Sequence, residues 1–398
     1  MPSLMFVDDE ASILSALRRS LYAHRDRWDM RFVSSAGEAI EMMERDPVDV
    51  VIADFRMPGM DGGQLLTVIR ERWPDTARLM LSGHTEEEDL LHMVTVAQRF
   101  LDKPCERNVL VGAIESALRT RTRLDGATIR AEIGALSVLP SAAATLDQLQ
   151  VVLDRSDATE DEVAAVVQRD IGLTVKVVQL ANSALFGGSG EVSSVNQALV
   201  RLGVQTVRSV ALMHGLAEPV RTAGVIDLGW LDRLNAHAAL AAQHAVRLVA
   251  PEQASAAICA AILAESGQLV FATCRPVEFE QMLRHQQGHA AAEAEQDVFG
   301  LAHATAGSHL LELWGFPDSI VNAVAVHDQL PDAVGDCAVS IPEAVQLARV
   351  RAATTICDIC PPNDTDARGS TDRLDSRAKF APSTTLNGGA LTHPVRVL

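Results

Sequence analysis

The sequence predicts an α/β domain, a doubly wound parallel sheet of the (βα)5 kind, followed by an all-helical domain. Three observations predict it. Over residues 1–120, short β-rich runs alternate five times with amphipathic stretches. The third run, Val48-Asp49-Val50-Val51-Ile52-Ala53, is nearly all apolar, as a central parallel strand covered on both faces must be. Beyond Leu139-Pro140 strand signals nearly vanish, and Ala/Leu/Val-rich runs such as Ala236–Val249 and Ser255–Ala264 take over.

In chain order, Leu4–Val7, Met30–Val33, Val48–Ala53, Arg78–Leu81 and Arg99–Leu101 read as strands. Helical periodicity covers Glu10–Ala23, Ala36–Arg45, Gly62–Trp73, Glu86–Val96 and Glu106–Arg119. Pro58-Gly59 and Ser82-Gly83 mark turns just past two strands. From 120 to 138 the pattern stays helical, with Arg119, Arg121, Arg123 and Arg130 interspersed. This predicts that the helix at Glu106–Arg119 runs on without a break into a helical linker, 123–138. The helical domain follows over 139–330, with a helical extension over 331–360. From Pro361 to the last residue, Asp, Ser, Thr, Gly and Pro dominate and periodic apolar residues are few, which predicts a disordered tail over 361–398.

The 398 residues are 48% hydrophobic and 22% charged, a globular composition for the bulk of the chain. A formal net charge of −18 repels phosphate backbones and anionic lipid, which argues against nucleic acid as a direct partner unless the fold gathers a basic patch. No apolar run approaches the length of about 18 residues that a membrane span needs. The opening MPSLMFVDDE carries acids where a secretory signal needs basic residues, so a cytoplasmic location is expected. Of six cysteines (105, 259, 274, 337, 357, 360), only Cys357 and Cys360 form a C-x-x-C, and no second pair completes a zinc site; free thiols are expected.

In an open parallel sheet, ligands sit outside the carboxyl ends of the strands. Asp8 and Asp9 fall there after the first strand, Asp54 after the third, Ser82 after the fourth and Lys103, before Pro104, after the fifth. Converging carboxylates repel unless a cation joins them, and an oxygen-loving ion such as Mg2+ suits them. One carboxylate can then attack a phosphoryl group while a lysine and a hydroxyl steady its oxygens. Taken singly, such acids are often helix caps. The runs FVDDE, VIADFRMPGMDG, LMLSG and FLDKP, in this order and spacing, resemble the receiver domain of two-component response regulators over about residues 1–122. The resemblance implies a flavodoxin-like fold with Asp54 as phosphoacceptor. It implies Mg2+ held by Asp8, Asp9, Asp54 and the backbone carbonyl of Arg56, and a histidine kinase as donor. Ser82 is then the switch hydroxyl, Lys103 the lysine that meets the phosphoryl group, and Phe100 the switch aromatic that turns inward. A homodimer through the receiver is the further partner it suggests.

The helical domain carries Gln168-Arg169-Asp170-Ile171-Gly172-Leu173-Thr174, Leu180-Ala181-Asn182-Ser183-Ala184-Leu185-Phe186-Gly187, Arg201-Leu202-Gly203, Gly267-Gln268-Leu269, Phe299-Gly300 and Trp314-Gly315-Phe316-Pro317. Together these resemble the HDOD family, all-helical relatives of the HD phosphohydrolases. The resemblance places the hydrolase His-Asp pair at Ala264 and Glu265, and an upstream histidine at Leu234. Alanine and leucine offer no lone pair, so hydrolysis by that route is not expected. Of His214, His237, His244, His303, His309 and His327, those at 237 and 244 share a helix face. All are expected to be locally satisfied residues, and the dipeptide His327-Asp328 is expected to be coincidental. Glu265 reads equally as the mark of a polar pocket or as a surface residue.

The expected protein is therefore a response regulator. Phosphorylation of Asp54 would switch a non-catalytic HDOD output that acts on a protein target the sequence does not name. The signal would pass along the linker or through dimerisation. The alternative is an HD-type phosphohydrolase or phosphodiesterase with a variant metal site around Glu265, His237 and His303. A transcription factor is disfavoured by the acidic charge and the lack of a basic helix-turn-helix pattern.

Overall fold

The computed structural model describes residues 1–83, 96–124, 127–155, 157–183, 186, 190–216, 228–285, 291–329 and 339–359. The helix expected at Glu86–Val96 (save its last residue), the tail over 361–398 and the side chain of His214 lie outside the described residues, as do the side chains of Cys337, Cys357 and Cys360. The chain divides into two compact units, Met1–Ala353 and Thr354–Leu398. The first holds the sheet and the helices treated below, the last of them only as far as Ala353.

It begins with β1 (Ser3–Val7), α1 (Ala11–Ser20), β2 (Asp29–Val33), α2 (Ala36–Arg45), β3 (Val50–Asp54), α3 (Gly62–Arg72), β4 (Ala77–Ser82), β5 (Arg99–Asp102) and α4 (Arg107–Arg123). All strand pairs are parallel, in the order β2-β1-β3-β4-β5. The order reverses at β1, so the crevice between the ends of β1 and β3 is the topological switch point. Every residue of β3 and β4 is buried, which is why these strands read as apolar runs.

The helix expected to run unbroken from 106 to 138 does not. α4 ends at Arg123, and Leu124 takes an extended backbone, φ −109° and ψ 117°. A separate helix, α5 (Ala127–Ala135), follows. The segment is docked on the sheet domain by Arg121 and Arg130. Arg121 Nη2 lies 3.0 Å from both Asp49 and Asp75, and Arg130 Nε 3.1 Å from Asp75. The buried Arg78 of β4 donates to the Gly134 carbonyl at the end of α5 at 2.6 Å, and Gln98 joins it at 3.1 Å. A cation at the negative end of a helix dipole is favourable, and burial lowers the Arg78 guanidinium to about 9.

The helical domain comprises α6 (Ala143–Leu153), α7 (Glu160–Val167), α8 (Ile171–Ala181), α9 (Val195–Leu216, interrupted at Gly203), α10 (Leu228–Ala245), α11 (Ala254–Leu263), α12 (Ser266–Cys274), α13 (Pro276–His285), α14 (Ala291–Phe299), α15 (His303–Leu313), α16 (Asp318–Val326) and α17 (Ile341–Ile359). One apolar core runs continuously from the sheet into these helices. The stretch Pro251–Cys274 is long and apolar enough to cross a membrane by length and composition, but 78% of its most apolar window is buried, so the interior of the bundle accounts for its hydropathy. α15 is the hub. It packs against α12 and α16 in its own domain and against α4 of the sheet domain. Its crossing with α12 is very close, because a Cβ on Gly267 would stand 1.8 Å from the His303 carbonyl oxygen.

Candidate functional site

The strand ends bring together most of the residues singled out above. Asp8 is buried directly after β1, and Asp54 is the last residue of β3. Lys103, just past β5, sends Nζ to both: 2.7 Å from Asp8 Oδ2 and 2.6 Å from Asp54 Oδ1. Asp9 is exposed beside them, and Asp8, Asp9 and Asp54 each offer an oxygen within 4.8 Å of the others. Two oxygen donors steadied by an ammonium, with a third open to water, fit a hard cation that keeps part of its hydration shell. Arg56 lies in the exposed turn after β3. That turn folds back tightly: Gly62 N–H donates to Phe55 at 2.8 Å, and a Cβ there would stand 2.1 Å from the Asp54 carbonyl oxygen. Asp61 caps α3 by accepting from Gln64 N–H at 2.7 Å.

Burial pushes Asp54 above its ordinary value, with Lys103 opposing. Burial alone would lower Lys103, but its hydrogen bonds to Asp54 and Asp8 raise it overall. Ser82 ends β4 beside Asp54's register partner Leu81, and its hydroxyl donates to the Gly83 carbonyl at 3.0 Å. Phe100 on β5 is already buried, on the wall of a cleft of about 700 Å3 that Trp314, Arg201 and Asn182 of the helical domain also line.

Its neighbour Arg99 crosses to the helical domain. Arg99 Nη2 donates to the Glu312 carbonyl of α15 at 2.6 Å and to Ser116 Oγ of α4 at 2.8 Å. Arg119 of α4 reaches the Glu312 carboxylate at 3.1 Å. Burial lowers Arg99 to about 10.

A second cluster lies at the other end of α15, where several sequence expectations are corrected. Glu265, in the turn between α11 and α12 next to the buried Ala264, is itself buried at 2% exposure. His303 Nε2 lies 3.4 Å from Glu265 Oε2, 3.0 Å from His327 Nε2 and 3.3 Å from Asp328 Oδ2. His327-Asp328 is thus no coincidence of spelling, and His303 is no mere packing residue. His303 Nδ1 donates to Glu295 at 2.8 Å, and His327 Nδ1 to the Val324 carbonyl at 2.7 Å. Arg349 of α17 reaches Glu265 Oε1 at 3.2 Å and pairs with Asp328 Oδ1. Gln268 donates to Glu265 Oε2 at 2.7 Å. The helix phase also moves the upstream position by one turn. His237, rather than Leu234, faces Glu265, with Nδ1 3.5 Å from Oε1.

Burial alone would lower His303, but its hydrogen bonds to the Glu265 and Glu295 carboxylates push it up to about 10. His327 is lowered by burial and by the charge on His303, against the pull of Glu265. Burial would raise Glu265, yet His237 and His303 hold it well below the carboxylate range. Glu295 and Arg349 carry no motif, and the sequence reading passed over them; Asp328 entered it only as half of a dipeptide set aside as coincidental. The one available signal was the His327-Asp328 dipeptide itself.

Comparison with known proteins matches the description "Response regulator receiver domain" to residues 4–115 and "HDOD domain" to residues 139–330. The hydrogenase transcriptional regulatory protein HoxA of Cupriavidus necator is 36% identical over 121 residues, 30% of this chain and 24% of that protein. The regulatory protein LuxO of Vibrio cholerae is 34% identical over 122 residues, 30% of this chain and 26% of that protein. This chain thus spans about a quarter of the length of these two curated relatives. An uncharacterised protein of Treponema pallidum is 23% identical over 274 residues, 64% of this chain and 48% of that protein. Among solved structures, the MmoQ response regulator of Methylococcus capsulatus aligns with 25% identity over 55% of this chain and 88% of its own, at a TM-score of 0.46.

Proposed function

We propose that this chain, a response regulator receiver domain joined to an HDOD domain, accepts a phosphoryl group on Asp54 from a histidine kinase and transmits that event to a non-catalytic HDOD output. The observation that carries the reading is Lys103 bridging Asp8 and Asp54 at the switch point of the sheet. An Asp54 carboxylate oxygen attacks phosphorus. The P–N bond to the donor imidazole breaks, an O–P bond forms, and the freed imidazole takes up a proton. Lys103 transfers its ion pair to the new phosphoryl oxygens. The Ser82 hydroxyl, now on the Gly83 carbonyl, swings to another. When bound, Mg2+ on Asp8, Asp9, Asp54 and the Arg56 carbonyl offsets the charge of the incoming group.

The contacts favour a direct route to the output over the linker route. A shift of Phe100 drags Arg99, and Arg99 holds the Glu312 end of α15. Burial supports a non-catalytic output, since Glu265 and His303 are 2% and 1% exposed and give a phosphoester no approach in this state. The phosphohydrolase reading keeps one point in its favour, the imidazoles and carboxylates gathered at the HD position. The output then acts through protein–protein contacts, in a cytoplasmic setting.

Incubation with acetyl phosphate and Mg2+, read by intact mass, tests the first step. One phosphoryl group on the wild type and none on Asp54→Asn is expected. Undiminished labelling of Asp54→Asn overturns it. Turnover of cyclic dinucleotides or generic phosphoesters by the metal-loaded chain would overturn the non-catalytic output.

A further inference from the structure

We propose that the HDOD unit closes around one divalent transition-metal ion, Zn2+ foremost, held by Nε2 of His303, Nε2 of His327 and a carboxylate oxygen of Glu265, whose donor atoms all lie within 4.8 Å of one another. All three donors are buried, which sets the site apart from a catalytic one open to substrate.

Four independent features of the cluster converge on it. The first is ring orientation. Both imidazoles spend Nδ1 on a partner that can only accept, Glu295 for His303 and the Val324 carbonyl for His327. Each Nδ1 therefore carries the hydrogen, and in the neutral rings both Nε2 lone pairs face each other across 3.0 Å. A carboxylate or backbone carbonyl behind each ring is the arrangement that orients metal-bound histidines.

The second is spacing. A tetrahedral ion with bonds of about 2.0–2.1 Å sets its donors roughly 3.3 Å apart. His303 Nε2 stands 3.0 and 3.4 Å from the donor atoms of His327 and Glu265, and 3.3 Å from Asp328 Oδ2, which lies at the edge of the set and would join as a fourth donor only by moving inward. The third is the outer shell. Arg349 occupies Oε1 of Glu265 and Oδ1 of Asp328, so each carboxylate is held by one oxygen and turns the other toward His303. Oδ2 of Asp328 is buried and accepts no hydrogen bond, and Oε2 of Glu265 keeps a lone pair beyond the one taken by Gln268.

The fourth is charge. Three carboxylates, Glu265, Glu295 and Asp328, meet one guanidinium, Arg349. A dication brings this buried set to neutrality with both imidazoles uncharged, whereas a single proton on His303 leaves it negative. Two nitrogen donors and one oxygen donor with no thiolate select a borderline ion such as Zn2+ or Co2+ over Mg2+.

The ion would tie α12, α15 and the end of α16 together at the point where Gly267 lets α12 and α15 touch. The inference stands apart from phosphorylation at Asp54, and the test separates the two. The full chain is stripped with a chelator, then titrated with Zn2+ by calorimetry and with Co2+ by visible absorption, in wild type, Asp54→Asn, His303→Gln and His327→Gln. Far-UV circular dichroism and a cooperative urea transition certify the fold of the two histidine variants. Expected are one Zn2+ per chain in wild type and in Asp54→Asn, a four-coordinate Co2+ spectrum, and affinity at least ~100-fold weaker in both histidine variants. No Zn2+ bound by wild type overturns the proposal. So does binding lost with Asp54→Asn, binding unmoved by His303→Gln and His327→Gln, or a six-coordinate Co2+ spectrum. Should either histidine variant fail to fold, the Co2+ spectrum of the wild type decides alone.

Discussion

The acidic crest of the receiver and the buried cluster of the HDOD unit are made of similar parts, carboxylates facing a few cations, but they are assembled by opposite means. At the crest each group sits at a strand end, and parallel pairing alone delivers Asp8, Asp54 and Lys103 to one edge. The crest stays partly open, with Asp9 in water. The cluster draws Glu265, Glu295, His303, His327 and Arg349 from separate helices or the turns beside them, and every ring and carboxylate in it is fixed by another. An open site can exchange ligands at little structural cost. A closed one ties its ionic partners to the stability of the fold.

That contrast can be broken most directly by removing one carboxylate from each. Glu265→Ala takes a carboxylate from the His303 and Arg349 cations, leaving them Glu295 and Asp328, and should cost about 3 kcal/mol of unfolding free energy. Asp9→Asn at the crest should stay within about 0.5 kcal/mol while weakening Mg2+ binding. Urea unfolding of both variants checks this, and similar losses would erase the distinction. In chelator, the closed cluster should also give a pH signature. The His303 value in the fold, about 10, lies above the ordinary 6.5. Its contribution is therefore fully present below pH 6.5 and fades as pH rises through about 10. The stability gap between wild type and His303→Gln should shrink over that window.

Between the two regions, Arg99→Ala removes the donor shared by Ser116 and the Glu312 carbonyl and should cost about 1–3 kcal/mol. It should also abolish the change in α15 amide exchange that a beryllofluoride phosphate mimic is expected to produce in the wild type. A retained change would put the coupling elsewhere. The smallest effect is a control far from either site. Thr159→Ala deletes one half of the capping box with Glu162 on α7 and should cost about 1 kcal/mol, leaving labelling and metal content as they were.

The same contrast explains what could be read from sequence. The βα alternation, the apolar run of β3 and the crest acids were legible because a period-two pattern and a strand end fix where a side chain goes. The break at Leu124 was not, because the apolar and basic spacing continues across it and only the backbone turns. Two of the arginines interspersed there, Arg121 and Arg130, bind that segment to Asp49 and Asp75. The cluster was hidden for a deeper reason. Arg349 meets Glu265 across 84 positions of chain, and only the rotation of each helix about its axis decides which residue faces inward. One turn of that rotation separates Leu234 from His237.

α15 is about 16 Å of unbroken helix, gripped at Glu312 by Arg99 and Arg119 and at His303 by the cluster. A rod so short bends little, so a displacement at one grip is felt at the other. Free-energy coupling has no preferred direction. A protein that docks on the HDOD surface and favours the loaded arrangement must, by the same factor, tighten the receiver's hold on a phosphate mimic. The output partner would then be a second input, and the regulator would report to its kinase side whether its message had been received.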